Sequence, residues 1–308
     1  MSVPTSLRAR TGLFAVSGGA VLWGTTGVAV RIVADRSGLS AVSIGWYRVA
    51  IAALVVALAF RAPGLRRAAA AVRRHPVRLA LCGIGFGAYQ ALYFVGVQFV
   101  GVSVSTLVSL AVAPVALTAG AAVAERRRPA PFRLAVLGCA LLGLALVCLR
   151  PSSGTSAPHP VWGVLASLAS GLGYAAITAL SRRMSGEEPL VLTGVTSLFG
   201  AVVLLPFAAV AGMATPADGI ARGWLLYIGV VPTVLAYWLF YAGLRSTPSE
   251  VAGVLSLLEP VTAAGVAALV LHESLSPAAF AGGALMLVAV GALYLRAPAP
   301  EITEVPPP

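Results

Sequence analysis

The stretch LALCGIGFGAYQALYFVGVQFVGVSVSTLVSLAVAPVALTAGAAV, residues 79–123, runs for 45 residues without a charged side chain. A helix needs roughly 20 mostly apolar residues to cross the hydrocarbon core of a bilayer. This stretch therefore holds two crossings, Leu79–Phe99 and Val102–Val123. The rest of the chain repeats the pattern. Apolar runs at Gly12–Ile32, Ala41–Phe60, Leu134–Leu149, Val161–Ser181, Leu190–Val210, Trp224–Leu244, Val251–Val270 and Ala278–Leu295 bring the candidate spans to ten in 308 residues. The composition agrees, with 59% hydrophobic residues, 10% charged and a mean hydropathy of +0.93. A soluble domain cannot hide that much apolar surface, whereas helices satisfy their own backbone hydrogen bonds in lipid. The fold class predicted is an all-α integral membrane protein of ten transmembrane helices.

The formal charge of +11 would suit a nucleic-acid partner, but no soluble domain is present to offer a basic face. The arginines instead report topology. All 21 basic residues are Arg. With the N-terminus inside, sixteen of them fall on the cytoplasmic side: Arg8, Arg10, Arg61, Arg66, Arg67, Arg73, Arg74, Arg78, Arg126, Arg127, Arg128, Arg133, Arg182, Arg183, Arg245 and Arg296. Arg31, Arg36, Arg150 and Arg222 fall outside or close to it, and Arg48 lies within a span. The positive-inside rule then places both termini in the cytoplasm and makes the chain a multi-pass protein of the cytoplasmic membrane, with the lipid bilayer as its surroundings. The first apolar run continues through Trp23 to Ile32, beyond the roughly 7–15 residues of a signal h-region, and is read as an uncleaved span. Cys82, Cys139 and Cys148 all fall inside spans and read as small core residues. Arg66, Arg67, Arg73 and Arg74 repeat at a spacing of seven; on a helix they share a face, which would lie along anionic headgroups or simply set topology.

The spans divide into two five-helix units. Glu125, Phe132 and Gly143 match Glu273, Phe280 and Gly291 at a constant offset of 148. Pro114 pairs with Pro260, Gly96 with Gly243 and Gly45 with Gly194 at offsets of 146, 147 and 149. A unit with an odd number of spans inserts upside down the second time, and inverted repeats of this kind build transporters whose site lies at the repeat interface. The expected segments are a cytoplasmic N-terminus (1–11), a first unit (12–150), an exposed Pro/Ser-rich linker (151–160), a second unit (161–296) and a disordered Pro-rich tail (297–308).

Three stretches carry a family resemblance: "LWGTTGVAVRI" in the first span, Arg48 in the second, and "SLLEPVTAAGVAALVLHESLS" from the ninth span into its outer loop, with "AVAPVALTAGAAVAERR" as a weaker first-half counterpart. Set in order within ten spans, they resemble the drug/metabolite transporter superfamily, in particular its ten-helix EamA-type members. The resemblance implies a secondary carrier of small metabolites, amino acids or drugs, commonly an exporter, working by alternating access. It implies a central cavity built by the first four helices of each half. The fifth and tenth helices become peripheral elements available to form a homodimer. The halves differ at one telling point: Ala113 precedes Pro114 where Glu259 precedes Pro260, so no symmetric acidic pair exists.

Arg48 and Glu259 stand near the middle of predicted spans, where each costs roughly 2.5–3.5 kcal/mol to insert, so such residues usually face a cavity or a partner. Their repeat equivalents are Ser197 and Ala113, so duplication did not require the charges. Glu259 reads as a proton or counter-ion site and Arg48 as a carboxylate anchor; the competing reading is a buried ion pair between the two. If Arg48 is distant, Glu259 is free to take and release a proton; if they pair, the carboxylate stays ionised. Pro114 and Pro260 each remove a backbone donor and are candidate hinges. The aromatic and polar residues Trp23, Tyr89, Gln90, Tyr93, Tyr174, Trp238 and Tyr241 are expected to line the cavity with Glu259, as suits amphipathic small molecules. Tyr89/Tyr93 and Tyr237/Tyr241 are i,i+4 pairs on one helix face each. Trp46, Trp162, Trp224 and Tyr294, near span ends, fit an interfacial belt. An enzyme is not expected. His75, His159 and His272 lie in loops or at span ends on differing sides, the acidic residues form no metal-like cluster, and no cofactor motif occurs. A channel or a non-transporting assembly protein is the alternative reading, distinguished by the absence of saturable, counter-ion-dependent flux.

Overall fold

A computed structural model describes residues 5–60, 62–148, 160–272 and 274–296. Among these residues no strand occurs, and nine helices are long and apolar enough to cross a membrane. In chain order the helices are α1 (Thr5–Gly24), α2 (Thr26–Ser37), α3 (Ala41–Ala59), α4 (Ala62–Arg74), α5 (Pro76–Glu125), α6 (Pro131–Cys148), α7 (Pro160–Arg182) and α8 (Pro189–Ala211). They continue with α9 (Gly219–Gly229), a π-helical turn (Val230–Leu235), α10 (Ala236–Gly243), α11 (Ser249–Leu255), α12 (Leu258–Val270) and α13 (Pro277–Arg296). Of the expected linker only Pro160 is described; residues 151–159, the tail 297–308 and Glu273 lie outside the described residues.

The uncharged stretch of residues 79–123 lies within α5, 50 residues long, which turns at Gly101 (φ 80°, ψ 167°), a backbone conformation open to glycine. The turn folds the helix back on itself. Tyr93 and Thr106 would stand about 20 Å apart along a straight helix, yet their hydroxyls are 2.8 Å apart. Ser105 Oγ likewise donates to Tyr93 O at 3.3 Å. The two arms, 76–100 and 102–125, are each long enough to cross the membrane.

Other spans are broken where hydropathy gave no warning. Between α1 and α2, the Thr25 backbone N–H and hydroxyl both donate to Leu22 O (3.2 and 2.7 Å), diverting that carbonyl to a local turn. Pro232 has no N–H for Ile228 O; the Thr233 hydroxyl donates to it instead at 2.8 Å, within the π-turn. Pro260 likewise cannot serve Ser256 O, which accepts from Glu259 N–H at 3.0 Å, and the chain restarts as α12. Pro260 thus opens a helix rather than kinking one. Pro114, by contrast, sits buried inside a continuous stretch of α5.

The helices pack in a reciprocal pattern. α1 lies against α10 and α12, and α7 against both arms of α5. α3 packs on α8, and α6 on α13. The main core of the bundle is built from α1, the first arm of α5, α7, α8 and α10, with Val16, Phe86, Leu204 and Phe240 among its fully buried side chains. One end of the bundle is stitched by Arg67–Glu188 (2.9 Å), Arg74–Glu187 (3.3 Å), Arg133–Glu250 (2.7 Å), Arg245 Nε to Ser185 O (2.9 Å) and Arg182 to Leu244 O. At the other end Arg36 meets Asp218 at 3.3 Å. Two residues assigned to an interfacial belt belong to the packing: Trp46 Nε1 donates to Ala201 O at 3.0 Å, and Tyr294 OH to Ser17 Oγ at 2.8 Å.

Candidate functional site

Trp23 closes the C-terminal end of α1 and is buried. Its ring lies 4.8 Å from Tyr237, 5.1 Å from Phe240 and 6.5 Å from Tyr174, centroid to centroid. Phe86 and Tyr89 join from α5, Phe86 at 5.0 Å from Tyr237 and Tyr89 at 5.7 Å from Tyr174. Tyr241 completes the cluster 6.0 Å from Tyr237. The hydroxyls are all engaged: Tyr89 with Tyr237 at 2.9 Å, Tyr174 with Ser256 at 2.9 Å, and Tyr241 donating to Thr196 at 3.4 Å. Four elements of different parts of the chain thus meet in one aromatic knot. Between Phe86, Tyr89, Tyr174, Ile177, Tyr237 and Phe240 it leaves a cavity of only about 10 Å³, far below the 300–1,000 Å³ of a typical ligand pocket.

The three backbone irregularities border this knot. Tyr227 OH, on α9, donates to Thr25 Oγ1 at 2.9 Å and so ties α9 to the α1–α2 break. At Gly24 a Cβ would fall 2.6 Å from Glu259 O and 2.5 Å from Thr262 Cβ, so only a glycine lets α1 approach the start of α12 this closely. Ser256, at the α11–α12 break, holds Tyr174.

Arg48 and Glu259 enter this region from opposite elements, α3 and α12. Arg48 donates to Gln90 Oε1, and Gln90 Nε2 donates to Phe86 O at 3.3 Å. Arg48 and Glu259 make no ion pair, although they are in electrostatic reach of each other and Tyr237 is in reach of both. Four buried side-chain polar atoms have no hydrogen-bond partner among the described residues: Arg48 Nε, Trp23 Nε1, Thr26 Oγ1 and Thr247 Oγ1. An unpaired buried donor costs about 1–3 kcal/mol.

The expected site residues separate accordingly. Trp23, Tyr89, Tyr174 and Tyr241 meet in the knot, Gln90 and Arg48 border it, and Glu259 stands at its α12 side. Glu259 lies in the first turn of α12, which is the middle of the membrane-capable stretch Ser249–Val270. Tyr93 turns to Thr106 on the other arm of its hairpin. Trp238 does not join: it is 40% exposed on α10, near the similarly exposed Leu235 that ends the π-turn, and Tyr237 takes its place. Phe86 and Phe240 were not anticipated. Each lies three residues from a knot tyrosine, Tyr89 and Tyr237, a spacing that shares a helix face.

A model of the EamA-like transporter family matches residues 10–149 and again 161–295. The chain belongs to this family. It is 30% identical over 274 residues to a Bacillus subtilis (strain 168) protein named "Uncharacterized transporter YwfM", covering 87% of this chain and 88% of that one. It is 31% identical over 279 residues to the "Probable terminal-alkyne amino-acid exporter" of Streptantibioticus cattleyicolor, covering 88% and 89%. It is 26% identical over 233 residues to the threonine/homoserine exporter RhtA of Salmonella typhimurium, covering 74% and 73%. A crystal structure superposes with a TM-score of 0.79 over 94% of this chain and 98% of the other at 21% identity, which establishes the shared fold. As an EamA-family protein the chain is a multi-pass membrane transporter of small molecules.

Proposed function

We propose that this EamA-family transporter is a secondary active exporter of small metabolites across the cytoplasmic membrane, with amino acids or drugs as its substrate class, alternating access as its mechanism and Glu259 as its proton site. The observation that carries the reading is the pair Arg48 and Glu259. Two charges share one bundle interior without pairing, at an insertion cost of roughly 2.5–3.5 kcal/mol each. Left apart, Arg48 is available to a substrate carboxylate and Glu259 to a proton or an ammonium group. Trp23, Tyr89, Tyr174 and Tyr241 supply an apolar wall, Gln90 orients Arg48, and Tyr93 steadies the α5 hairpin. The names of two relatives as amino-acid exporters favour the same substrate class.

Ten crossings in two inverted halves are the topology that fits best. The arms of α5 count as two. The packing is reciprocal, each half's first helix lying against the other half's third and fourth, second against second, fifth against fifth. The two family matches fall on the two halves. An even number of crossings puts both termini on one side, and the arginine-rich end makes that side cytoplasmic. The closed knot then lies between two access routes, with the α1–α2 break and the Pro260 break as its hinges and Pro114 as a stiffer counterpart. The α6–α13 pair remains peripheral, open to lipid or to a second copy.

Reconstitution into proteoliposomes with an imposed pH gradient, against a panel of amino acids and amphipathic drugs, tests this. The expected result is saturable, gradient-driven flux that Glu259→Gln, folded and inserted, abolishes. Unchanged flux in that variant removes the proton role and leaves transport standing; non-saturable flux without counter-ion dependence makes the protein a channel.

A further inference from the structure

The short helix α4 is held at the membrane surface by its own connections. Residues 60 and 61 separate it from α3, and His75 alone separates it from α5, both of them membrane-capable helices. Its 13 residues, about 20 Å of helix, have no slack to leave the plane where those two spans end.

Around α4 the side chains form rows seven residues apart. Ala68 and Ala71 turn inward onto the main core. Arg67 and Arg74 are consumed by the α7–α8 connection, through Glu188 at 2.9 Å and Glu187 at 3.3 Å. His75 adds a second contact to Glu187 at 3.6 Å. The next row, Arg66 and Arg73, is exposed and has no partner among the described residues. Beside it runs an apolar row, Leu65 (54% exposed) and Val72 (42%). The four arginines therefore divide into two pairs. Arg67 and Arg74 lock the bundle, while Arg66 and Arg73 face outward next to aliphatic side chains.

We propose that the Arg66/Arg73 and Leu65/Val72 rows of α4 are a docking surface for anionic phospholipid. A guanidinium binds phosphate through two parallel hydrogen bonds, and exposed aliphatic side chains beside it enter the boundary between headgroups and acyl chains. Arg66 and Arg73 are separated by about 10 Å along the axis, so each takes its own headgroup. The tethering of both helix ends at the bilayer surface makes a lipid, rather than a soluble protein, the occupant.

The test uses the full chain in phosphatidylcholine vesicles carrying a trace of spin-labelled phosphatidylglycerol or spin-labelled phosphatidylcholine, reading the motionally restricted fraction of each. The native protein retains phosphatidylglycerol over phosphatidylcholine. Arg66→Gln/Arg73→Gln lowers that preference roughly fivefold or more, while Arg126→Gln/Arg127→Gln, which removes equal charge at the same end of the bundle, keeps most of it. Equal losses in the two variants, no preference in the native protein, or displacement by inorganic phosphate would each overturn the proposal. Because Arg67 and Arg74 keep their ion pairs, both variants retain the fold, which helicity by circular dichroism confirms.

Discussion

Tyr89 and Tyr237 stand 148 positions apart in the chain and share a hydrogen bond of 2.9 Å at the centre of the bundle. The offset is the one that relates Glu125 to Glu273 and Phe132 to Phe280. Two residues that occupy equivalent places in a duplicated unit can touch each other only near the axis that relates the units. The Gly96–Gly243 match in the same two helices has an offset of 147, so the tyrosines are within one position of equivalence, and in the two-half arrangement proposed above their contact lies close to the relating axis. The charges are unevenly placed in the same frame: the positions matching Arg48 and Glu259 are Ser197 and Ala113, so each half carries one ionisable group.

The tyrosine bond has a measurable coupling. Tyr89→Phe and Tyr237→Phe each lower stability by about 0.5–1.5 kcal/mol, the worth of one buried hydrogen bond, because each leaves the other hydroxyl unpaired. The double variant loses little more than either single one. Denaturation in detergent, read as a double-mutant cycle, checks this; strictly additive losses would mean that the hydroxyls do not depend on each other.

Hydropathy alone makes most of the architecture visible, because crossing a bilayer is a local demand on composition. Span ends near α3, α6, α7, α8 and α13 differ from the structure by three residues or fewer. What stays hidden depends on hydrogen bonds that leave hydropathy unchanged. The Thr25 side chain breaks α1 from α2, and Pro260 starts α12 instead of bending it. α4 escapes as a helix because five alanines and four arginines in 13 residues resemble a loop on a hydropathy scale. Within the site, periodicity selects Tyr89, Tyr174 and Tyr241 correctly but cannot rank Tyr237 against its neighbour Trp238. Adjacent residues on a helix point about 100° apart, and only tertiary packing decides which faces inward.

The α6–α13 crossing depends on two glycines that the duplication does not pair. A Cβ on Gly143 would fall 2.6 Å from Gly282 O, and one on Gly282 would fall 2.5 Å from Gly143 O. Both distances are too short for a carbon, and the obstacle is backbone. Gly143→Ala or Gly282→Ala forces the helices apart, at about 1–3 kcal/mol. Gly291, the repeat equivalent of Gly143, faces open space, so Gly291→Ala changes stability by roughly 0.5 kcal/mol or less. Thermal unfolding of the three variants in one detergent separates them; a Gly291→Ala loss as large as the others would refute the crossing.

Ion pairs at the arginine-rich end are unequal for a reason of burial. Glu250 is buried and sits in the first turn of α11, where the helix dipole favours a carboxylate; Arg133 reaches it at 2.7 Å. Glu188 is far more open, with a side-chain exposure of 36%. Arg133→Gln therefore strands a buried carboxylate and costs about 1–3 kcal/mol. Arg67→Gln costs less than about 1 kcal/mol. Raising the ionic strength weakens the Arg67 contribution and leaves most of that of Arg133. Unfolding of both variants at low and high salt gives the comparison, and a reversed order would mean that burial of Glu250 does not govern the pair.

Asp218 gives the pH dependence at the opposite end. It caps α9, accepting from Ile220 N–H at 3.1 Å, and it meets Arg36 at 3.3 Å. The Ile220 amide, and after it the Arg36 guanidinium, hold its carboxyl below the ordinary value of 3.8. A carboxyl whose native pKa is depressed stabilises the fold in its ionised form. The contribution is complete above the unfolded value and is lost as pH falls through the native one. Asp218→Ala therefore melts at a lower temperature than the native protein at neutral pH, with a deficit that is constant down to about pH 5 and narrows as the pH drops below 4. Melting curves of the two proteins from pH 7 to pH 3 test the sign. A gap that widens on acidification would show that the Asp218 carboxylate opposes the fold, and that α9 is held in place by its packing on α2 and α3 without help from its cap.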